Sequence, residues 1–347
     1  MVKDISIIKT LLTNFFDAIR VYGYELKSQD NGSYKKYYKS LLHYLALDLH
    51  KKKRIKKIID DYGLKDALFY DYWFVNSTIS LSLLRREGRI KKLICRAHGF
   101  DLYDERQYEK VVSFRNFKLN YLDKVFTISK HGYRYLLEHT PEKNKHKIEL
   151  SYLGVKNQNK STLPDKQEKK QLLFVSCSRL LDFKRVHMIP QVLNELDSFI
   201  PIKWIHFGDG SCKHKLNEAL LKVNKKITFE FKGNVPNQEV HDFYQNNYVD
   251  FFISLSNNEG LPVSMMEASA YGIPIIATIV NGVGEIVNDK TGIPLDINDT
   301  IKQMASCIDH GIEREFDRQF IQEHFQQNFN AISNYETFIK SLKSLPN

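Results

Sequence analysis

Residues 254–272 read Ser-Leu-Ser-Asn-Asn-Glu-Gly-Leu-Pro-Val-Ser-Met-Met-Glu-Ala-Ser-Ala-Tyr-Gly, and this stretch joins a predicted strand to a predicted helix. The run at 249–255 is short and mostly apolar, which is typical of a strand covered on both faces in a parallel sheet. Pro262 suits the first position of a helix because its missing N–H would have no partner there. Gly272 and the proline two residues later mark the end of that helix. We therefore predict a helix over residues 262–271.

The turn before this helix has the features of an anion-binding site. The first amides of a helix have no partner within it, and the positive end of the helix dipole lies behind them. Here these amides belong to Gly260, Leu261, Val263 and Ser264. Because the carboxylates of Glu259 and Glu267 would repel a phosphate, we expect them to accept hydrogen bonds from hydroxyls, such as those on both sides of the diphosphate in a nucleotide sugar. The same residues also fit an ordinary α/β turn in which glutamate merely complements the dipole.

Length and composition are those of a globular protein with two domains. The 347 residues are long for one core, and 42% of them are hydrophobic and 27% charged. No apolar run reaches the length of a membrane span, and the N-terminus has no secretory signal pattern. The cysteines are widely separated and form no paired motif; they are Cys95, Cys177, Cys212 and Cys307. We expect a cytoplasmic protein with free, mostly buried thiols.

The formal charge of +10 is concentrated in the first half of the chain. Basic clusters occur at residues 35–39, 51–57 and 85–92. Three interpretations compete: a solvated helix face, docking on an anionic membrane surface, and nucleic-acid binding. Nucleic acid ranks last, because the sequence has no zinc-finger spacing and no RNA-recognition signature.

The first half of the chain begins with helical patterns and continues as an α/β alternation. Residues 5–20 predict one amphipathic helix, or two that are broken near Thr13, and residues 34–61 predict another. Strands are predicted at 67–75, 92–97 and 124–129, and a helix at 81–86. Alternation of this kind predicts a parallel sheet.

His98 directly follows one of these strands and is a candidate site residue. The turn reads His98-Gly-Phe-Asp101 and lies at the carboxyl end of its strand, where open α/β sheets bind ligands. A lone histidine is more often a hydrogen-bonded structural residue. The neighbouring glycine, which lets the backbone come close to a ligand, favours a site role.

A polar stretch at residues 156–170 predicts a linker, after which a second α/β series begins. Its predicted strands are 172–176, 202–207, 227–231, 249–255 and 275–278, and residues 313–343 are predicted to be helical, with aromatic side chains that pack onto the body. Arg179 and Lys184 flank the turn after the first of these strands. They suit a diphosphate, although the same spacing also fits solvated surface cations. The turn that follows the strand at 275–278 reads Asn281-Gly282-Val-Gly-Glu285, and its small residues let backbone amides approach a ligand.

The second half of the chain, from about Leu172 to Gly292, resembles the retaining glycosyltransferases of family 4. The matching features, in order, are Ser178-Arg179-Leu with Lys184, Phe207-Gly-Asp-Gly210, Lys232-Gly-Asn-Val-Pro-Asn237, Glu259-Gly-Leu-Pro262 through Glu267, and Gly282-Val-Gly-Glu285 with Thr291-Gly292. The first half agrees more loosely, through Arg96-Ala-His98-Gly-Phe-Asp101, Val125-Phe-Thr-Ile-Ser129 and Leu153-Gly-Val155. The resemblance implies the α/β GT-B fold of two facing Rossmann-like domains. It gives a domain division at 1–160 and 161–312, with closing helices at 313–347 that pack back toward the first domain.

The resemblance also implies a role for each matching residue. Arg179 and Lys184 fall on the diphosphate-binding pair, and Glu259 and Glu267 on the two acids of the Glu-x7-Glu motif, which lie at the donor sugar and the ribose. His98 falls on the histidine that lines the reaction centre on the acceptor side. The remaining donor-binding positions are Gly260, Leu261, Val263, Gly282 and Glu285. The family needs no metal or other cofactor, because cations and a helix N-terminus stabilise the departing nucleotide diphosphate.

The chain departs from the family pattern at its start. Such enzymes usually open with a strand and a glycine-rich turn, whereas this chain opens with helices and shows no such turn before Asp66. Either the first strand is missing, through a late start or truncation, or the acceptor side is built differently. Asn281 stands where a glycine is common, a mild change because asparagine tolerates similar backbone angles.

Together these features predict a cytoplasmic glycosyltransferase, peripheral on the inner face of the membrane. The expected reaction moves a hexose or N-acetylhexosamine from a UDP-type nucleotide sugar to a glycan, lipid-linked or protein acceptor, in cell-surface polysaccharide or glycoconjugate synthesis. Two alternatives are a non-catalytic nucleotide-sugar-binding partner and a GT-B nucleotide-sugar epimerase, which would convert its donor without any acceptor.

Overall fold

The chain forms two compact units. The computed structural model describes residues 6–28, 32–75, 77–156, 171–197, 200–223 and 227–345. The first unit comprises the chain up to residue 151 together with its last residues from 344, and the second comprises residues 152–343. Almost all of the predicted linker at 156–170 lies outside the described residues. The predicted boundary after residue 160 lies there too, and it stays a prediction.

Helices make up the start of the first unit. In order they are α1 (Ile7–Thr13), α2 (Phe15–Ser28), α3 (Gly32–Lys36) and α4 (Tyr38–Tyr62). The predicted break near Thr13 is present between α1 and α2. At this break the Asn14 side-chain amide donates to the carbonyl of Thr10 at 2.8 Å. Helix α4 is followed by its C-cap residue Gly63, whose left-handed φ of 62° suits a residue without a Cβ. The buried face of α4 packs with α2 in one apolar cluster.

The sheet of the first unit has four parallel strands in chain order. They are β1 (Leu68–Asp71), β2 (Lys92–Ala97), β3 (Lys124–Thr127) and β4 (Ile148–Leu150). The accompanying helices are α5 (Thr78–Arg86), α6 (Arg115–Tyr121), α7 (Lys130–Glu138) and α8 (Glu142–Lys145), with 3-10 turns at Leu64–Asp66 and Asp104–Arg106. Within the described part of the chain no strand precedes β1, as the sequence predicts.

The second unit is built on six parallel strands. They are β5 (Leu172–Cys177), β6 (Ile202–Phe207), β7 (Ile227–Gly233), β8 (Phe251–Ser254), β9 (Ile275–Thr278) and β10 (Gly292–Leu295). The helices are α9 (Met188–Asn194), α10 (Lys213–Leu220), α11 (Asn237–Asn246), α12 (Val263–Ala270), α13 (Ile301–Ile312), α14 (Arg318–Asn328) and α15 (Ala331–Lys343), with 3-10 turns at Asp182–Lys184 and Asn281–Glu285. The core includes Trp204, Phe174 and Ile253, all buried.

The strand order of this sheet determines where its ligand site can form. The order is β10-β9-β8-β5-β6-β7, so the chain moves from β5 to one side through β6 and β7 and then crosses to the other side at β8. Such a reversal is a topological switch point, and ligands of open α/β sheets bind at the carboxyl ends of the strands beside it. The loops that follow β5 and β8 carry Lys184 and Glu259.

Several boundaries differ from the sequence prediction. Strand β1 ends at Asp71 although residues 67–75 were predicted as strand, and α5 begins at Thr78, three residues before the predicted start. Helix α12 begins at Val263, with Pro262 as its N-cap residue. Strands β4 and β10 were not predicted.

The predicted C-terminal helix is two helices, α14 and α15, with a break at Phe329–Asn330. Phe325, Phe329 and Phe338 are buried, as expected of a helical segment that packs on the body. All four cysteines are free, but only Cys95 is buried and Cys307 is exposed, so the expectation of mostly buried thiols is wrong. None of the helices in the described ranges combines the length and hydrophobicity that a membrane span requires.

Candidate functional site

Lys184 and Glu259 meet at the switch point of the second sheet. The Lys184 ammonium lies 2.6 Å from a carboxylate oxygen of Glu259, and both side chains are largely shielded from solvent. Their loops are held together by the backbone as well, because the amide of Asn257 donates to the carbonyl of Phe183 at 2.8 Å. The two residues, 75 positions apart in sequence, therefore form one charged group.

The N-terminus of helix α12 lies directly beyond Glu259 in the chain. Its N-cap residue is Pro262, which makes no side-chain capping hydrogen bond. The first amides of the helix consequently have no partner from the helix or from a cap, and the helix dipole makes this end positive. Leu261 is buried and Val263 is exposed, so their side chains face opposite environments. An anion at this end of α12 would meet backbone amides.

The turn at Asn281–Glu285 is fastened to the Glu259 loop. The Asn281 side-chain amide donates to the carbonyl of Glu259 at 2.8 Å and to the Asn258 side chain at 3.1 Å. The amide of Gly282 donates to the carbonyl of Gly260 at 3.1 Å. Asn281 has a φ of 46°, the left-handed conformation that asparagine adopts more readily than most residues. Asn281 thus adopts the left-handed conformation of this turn, and its side chain connects the turn to the Glu259 loop.

Glu267 lies on α12 within a small polar cluster. Its carboxylate accepts a hydrogen bond from the side-chain amide of Asn237 at 2.9 Å, and the ring of His241 lies 3.8 Å away. Burial raises the pKa of Glu267, against the opposing effects of Asn237 and His241. Glu267 and Lys184 both act on Cys177: burial and Glu267 together raise the pKa of this thiol to about 12, against the opposing effect of Lys184.

The two arginines of the β5 loop have different environments. Arg179, a predicted diphosphate ligand, is exposed, and its guanidinium takes no part in the hydrogen bonds and ion pairs found among the described residues. Arg185 was not predicted as a site residue. Its Nε donates to the carbonyl of Leu255 at 2.5 Å, and its buried Nη2 has no partner within the described ranges. Arg185 therefore links the β5 loop to the end of β8.

Glycines position the loop that carries Arg179. Gly208 has a φ of 128°, and a Cβ at this position would lie 1.9 Å from the carbonyl oxygen of Ser178. A Cβ on Gly210 would lie 2.5 Å from the carbonyl oxygen of Leu180. The Phe207-Gly-Asp-Gly turn therefore works as a backbone support for the neighbouring loop, and not as a dinucleotide fingerprint.

Glu285 has a partner that the sequence did not suggest. The hydroxyl of Tyr152 donates to the Glu285 carboxylate at 2.6 Å. Burial, together with this carboxylate, raises the pKa of Tyr152. Asn237, His241, Arg185 and Tyr152 are thus the residues that sequence reasoning missed. Only Asn237 lay within a quoted motif, as the last residue of Lys232-Gly-Asn-Val-Pro-Asn237.

His98 lies in the first unit, after β2, and its surroundings belong to that unit. Asp101 accepts hydrogen bonds from the amides of His98 at 2.7 Å and Gly99 at 3.1 Å, which fixes the turn. Burial opposes ionisation of Asp101, but His98 and the backbone donors together lower its pKa. The described residues contain no group of three or more His, Cys, Asp or Glu side chains placed to hold a metal ion.

Comparison with known sequences finds a family model that matches most of the second unit. Residues 156–327 match the family model described as Glycosyl transferases group 1. A curated relative, the putative colanic acid biosynthesis glycosyltransferase WcaL of Escherichia coli K12, is 28% identical over 159 residues. The match covers 44% of this chain and 39% of that relative, so the chain spans well under half of its length.

Solved structures with similar folds cover both units. The lipopolysaccharide outer core galactosyltransferase WaaB superposes with a TM-score of 0.65 at 17% identity, covering 86% of this chain and 81% of that one. Anabaena HepE, solved in complex with UDP and glucose, gives a TM-score of 0.64 at 15% identity, covering 83% and 81%. These similarities confirm the GT-B fold class, with two α/β domains that are each built on a parallel sheet.

Proposed function

We propose that the chain is a glycosyltransferase that moves a hexose or N-acetylhexosamine from a UDP-type nucleotide sugar to an acceptor hydroxyl. The contact between Lys184 and Glu259 at the switch point carries this proposal, because it joins a phosphate-binding cation to a hydroxyl-binding carboxylate. The group 1 family match and the structural similarity to HepE, solved with UDP and glucose, support the donor class. We place the reaction in polysaccharide or glycoconjugate synthesis, because the relative WcaL is named as a putative colanic acid biosynthesis glycosyltransferase.

The donor would change the partners of the charged pair. A diphosphate that binds Lys184 competes with Glu259 for the same ammonium, and its arrival would free the Glu259 carboxylate to accept hydrogen bonds from sugar hydroxyls. The amides of Gly260, Leu261 and Val263 would meet the distal phosphate at the positive end of α12. Glu267, already fixed by Asn237, would accept from the ribose. The turn at Gly282 and Glu285 would complete the donor site.

The reaction would proceed with retention and without a metal ion. The acceptor oxygen forms the new bond to the anomeric carbon on the face that the leaving group vacates, the bond to the diphosphate breaks, and the acceptor proton leaves with the phosphate. Lys184, Arg179 and the α12 N-terminus would stabilise the charge on the departing nucleotide. Turnover should therefore survive EDTA. A loss that Mg²⁺ or Mn²⁺ restores would overturn this part of the proposal.

The test is UDP release from UDP-glucose, UDP-galactose and UDP-N-acetylglucosamine. Lys184→Ala and Glu259→Ala should each lower turnover about 100-fold or more, as removal of a charge-stabilising group typically does. Glu239→Ala and Lys222→Ala change exposed residues of the same unit and serve as matched controls. Near-normal turnover in either site variant, with the fold intact by circular dichroism, would contradict the proposal. Nucleotide binding without turnover would indicate the non-catalytic partner, and donor conversion without UDP release the epimerase.

An exposed apolar surface supports peripheral attachment to the inner face of the membrane. The large apolar side chains on the outside of α1 and α2 are Ile8, Leu12, Phe15, Phe16 and Ile19. Phe16 is 79% exposed. Lys9 lies among them, and Lys53 and Lys56 line a neighbouring hollow beside α1. An amphipathic surface with lysines at its border suits anionic lipid headgroups.

Liposome flotation at low salt tests the membrane part. The chain should float with vesicles that contain phosphatidylglycerol and much less with pure phosphatidylcholine. The double variant Phe15→Ser/Phe16→Ser should lose most of this binding, whereas Ile339→Ser, an exposed apolar residue on α15, should keep it. If the wild-type chain binds neither kind of vesicle, the membrane part is wrong.

A further inference from the structure

Exposed aromatic side chains gather at the carboxyl edge of the first sheet. Tyr72 and Trp73 directly follow β1, and Phe100 lies just after β2. Because β1 and β2 are parallel neighbours, these residues leave the sheet at the same edge, where α/β folds bind ligands. Trp73 is 46% and Phe100 is 55% exposed, so each keeps a large apolar area in solvent. An exposed aromatic group at a sheet's ligand edge has the character of a binding surface.

His98 lies against this group. Its ring centroid is 4.2 Å from that of Trp73 and 4.7 Å from that of Tyr72. The residue is only 8% exposed; its Nδ1 lies 3.6 Å from the Asp101 carboxylate, whereas its Nε2 has no hydrogen-bond partner in the described part of the chain. Burying a polar group without a partner is unfavourable, so such a group points to a missing partner. The imidazole next to the aromatic faces is therefore ready to hydrogen-bond a ligand.

The turn around the histidine is rigid. The carboxylate of Asp101 accepts from the amides of His98, Gly99 and Phe74, the last at 2.8 Å, and so connects the segment after β1 to the turn after β2. Lys118 donates to the carbonyl of Phe74 at 2.6 Å from the other side. These hydrogen bonds fix the backbone of the segment after β1 and of the turn after β2, which reduces the ordering that a ligand would require.

Building on the proposed transferase function, we infer that Tyr72, Trp73 and Phe100 form a stacking platform for a pyranose ring of the acceptor, and that His98 bonds one of its hydroxyls. A pyranose has an apolar C–H face and a rim of hydroxyls. An aromatic face beside the unsatisfied Nε2 of His98 matches both features, whereas an acyl chain would leave this nitrogen without a partner. The acceptor class is therefore a carbohydrate, and a lipid or a peptide hydroxyl is the outcome that would contradict this.

Tryptophan fluorescence reports directly on this platform. The chain has two tryptophans, and the other one, Trp204, is fully buried in the second unit. Methyl glycosides of glucose, galactose and N-acetylglucosamine, titrated without any nucleotide, should change the emission in a saturable way. The change should disappear in Trp73→Phe. No change with any glycoside, or an equal change in Trp73→Phe, would overturn the inference, as would a response to a serine-rich peptide in place of the glycosides.

Transfer kinetics separate stacking from simple apolar contact. With the same glycosides as acceptors, Trp73→Leu should raise the acceptor KM about tenfold or more, while Trp73→Phe should raise it less than about threefold. Tyr62→Leu changes an exposed aromatic residue before the amino end of β1 and is the matched control. If Trp73→Leu keeps the wild-type acceptor KM, the surface needs no aromatic face and the carbohydrate assignment is wrong.

The two proposals fail in different ways. If no nucleotide sugar is turned over but glycosides still alter Trp73 emission, the transferase function is wrong and the sugar-binding surface stands. If UDP release is normal and no glycoside binds, only the platform is wrong.

Discussion

The two units have parallel sheets but prepare their ligand edges in different ways. In the second unit the strand order reverses between β5 and β8, and backbone hydrogen bonds, such as that from Gly282 to Gly260, fasten the neighbouring loops to each other. In the first unit the strands run in chain order, and the edge is covered by exposed aromatic side chains around His98. The second edge is held by hydrogen bonds and an ion pair between its own loops, whereas the first edge presents aromatic side chains to solvent. This difference suits a variable acceptor on one unit and a constant diphosphate on the other.

The largest expected effect concerns the backbone support in the second unit. Gly208→Ala places a Cβ 1.9 Å from the Ser178 carbonyl at a φ of 128°, so it should lower the free energy of unfolding by more than about 3 kcal/mol. Gly233→Ala is the control, because its φ is also positive but no atom lies within 4 Å of the added Cβ; we expect it to cost about 1 kcal/mol. Urea denaturation measures both. Equal losses would show that the close approach at Gly208 does not support the loop.

A smaller effect is expected at the exposed cation of the same loop. Arg179→Ala should raise the KM for the UDP-sugar about five- to tenfold, far less than the loss expected for Lys184→Ala, because Arg179 is solvated before the ligand binds. Steady-state UDP release at two salt concentrations measures it, and the difference from wild type should shrink at high salt. A loss as large as that of Lys184→Ala would mean that Arg179 stabilises the phosphate charge as much as Lys184 does.

The smallest effect is a difference in pH response between the units. Burial raises the pKa of Asp48 in the first unit from 3.8 to about 7, against the opposing effect of Lys51. The protonated Asp48 carboxyl therefore contributes stability that is fully present below pH 3.8 and is lost as the pH rises through 7. Burial lowers the pKa of His206 in the second unit to about 4, so its contribution is present above 6.5 and is lost as the pH falls through 4.

As the pH rises from 5 to 8, the free energy of unfolding of Asp48→Asn should therefore increase by about 1 kcal/mol or more relative to that of the wild type. His206→Asn should respond in the opposite direction, with its largest relative loss at neutral pH, where the neutral imidazole stabilises the wild type. Thermal unfolding followed by circular dichroism at pH 5, 6.5 and 8 gives both comparisons. If the stability of Asp48→Asn relative to wild type does not change with pH, Asp48 does not titrate in this range.

Continuous apolar runs made several strands predictable to the residue. The predicted strands at 92–97, 202–207 and 275–278 match β2, β6 and β9. Strand β1 was predicted too long. The aromatic residues after Asp71 favour a strand, but the backbone groups of this segment form hydrogen bonds with side chains from elsewhere in the unit. The Phe74 amide donates to Asp101 and its carbonyl accepts from Lys118, so neither bond belongs to a ladder.

Strand β10 was missed because it contains Pro294. A proline within a predicted strand argues against a central position, and β10 is in fact the edge of the sheet, where a missing N–H costs little. Gly292 begins this strand, and a Cβ there would lie 1.9 Å from the carbonyl oxygen of Ile275. The family motif contained this glycine, but its physical reason became visible only with the register of β9 and β10.

The candidate site was predictable where the motif specifies residue types, and not where contacts join distant segments. Glu259 and Lys184 were both predicted, but their ion pair depends on the order of β5 and β8, which the sequence did not give. Asn237 and His241, the partners of Glu267, lie on another helix with no spacing signal of their own. Tyr72 and Trp73 appeared only as part of a predicted strand, because exposure of an aromatic residue cannot be read from sequence.

Thermal unfolding with nucleotides tests the central claim most directly, namely that the switch point of the second sheet binds a nucleoside diphosphate. UDP at 100 times its Kd should stabilise the wild-type chain by about 2.7 kcal/mol and raise the Tm by several degrees, since it binds only the folded state. UMP and uridine should do so far less, and Lys184→Ala should lose most of the shift with UDP. If UDP and UDP-sugars leave the Tm of the wild-type chain unchanged, or raise that of Lys184→Ala equally, the account is contradicted.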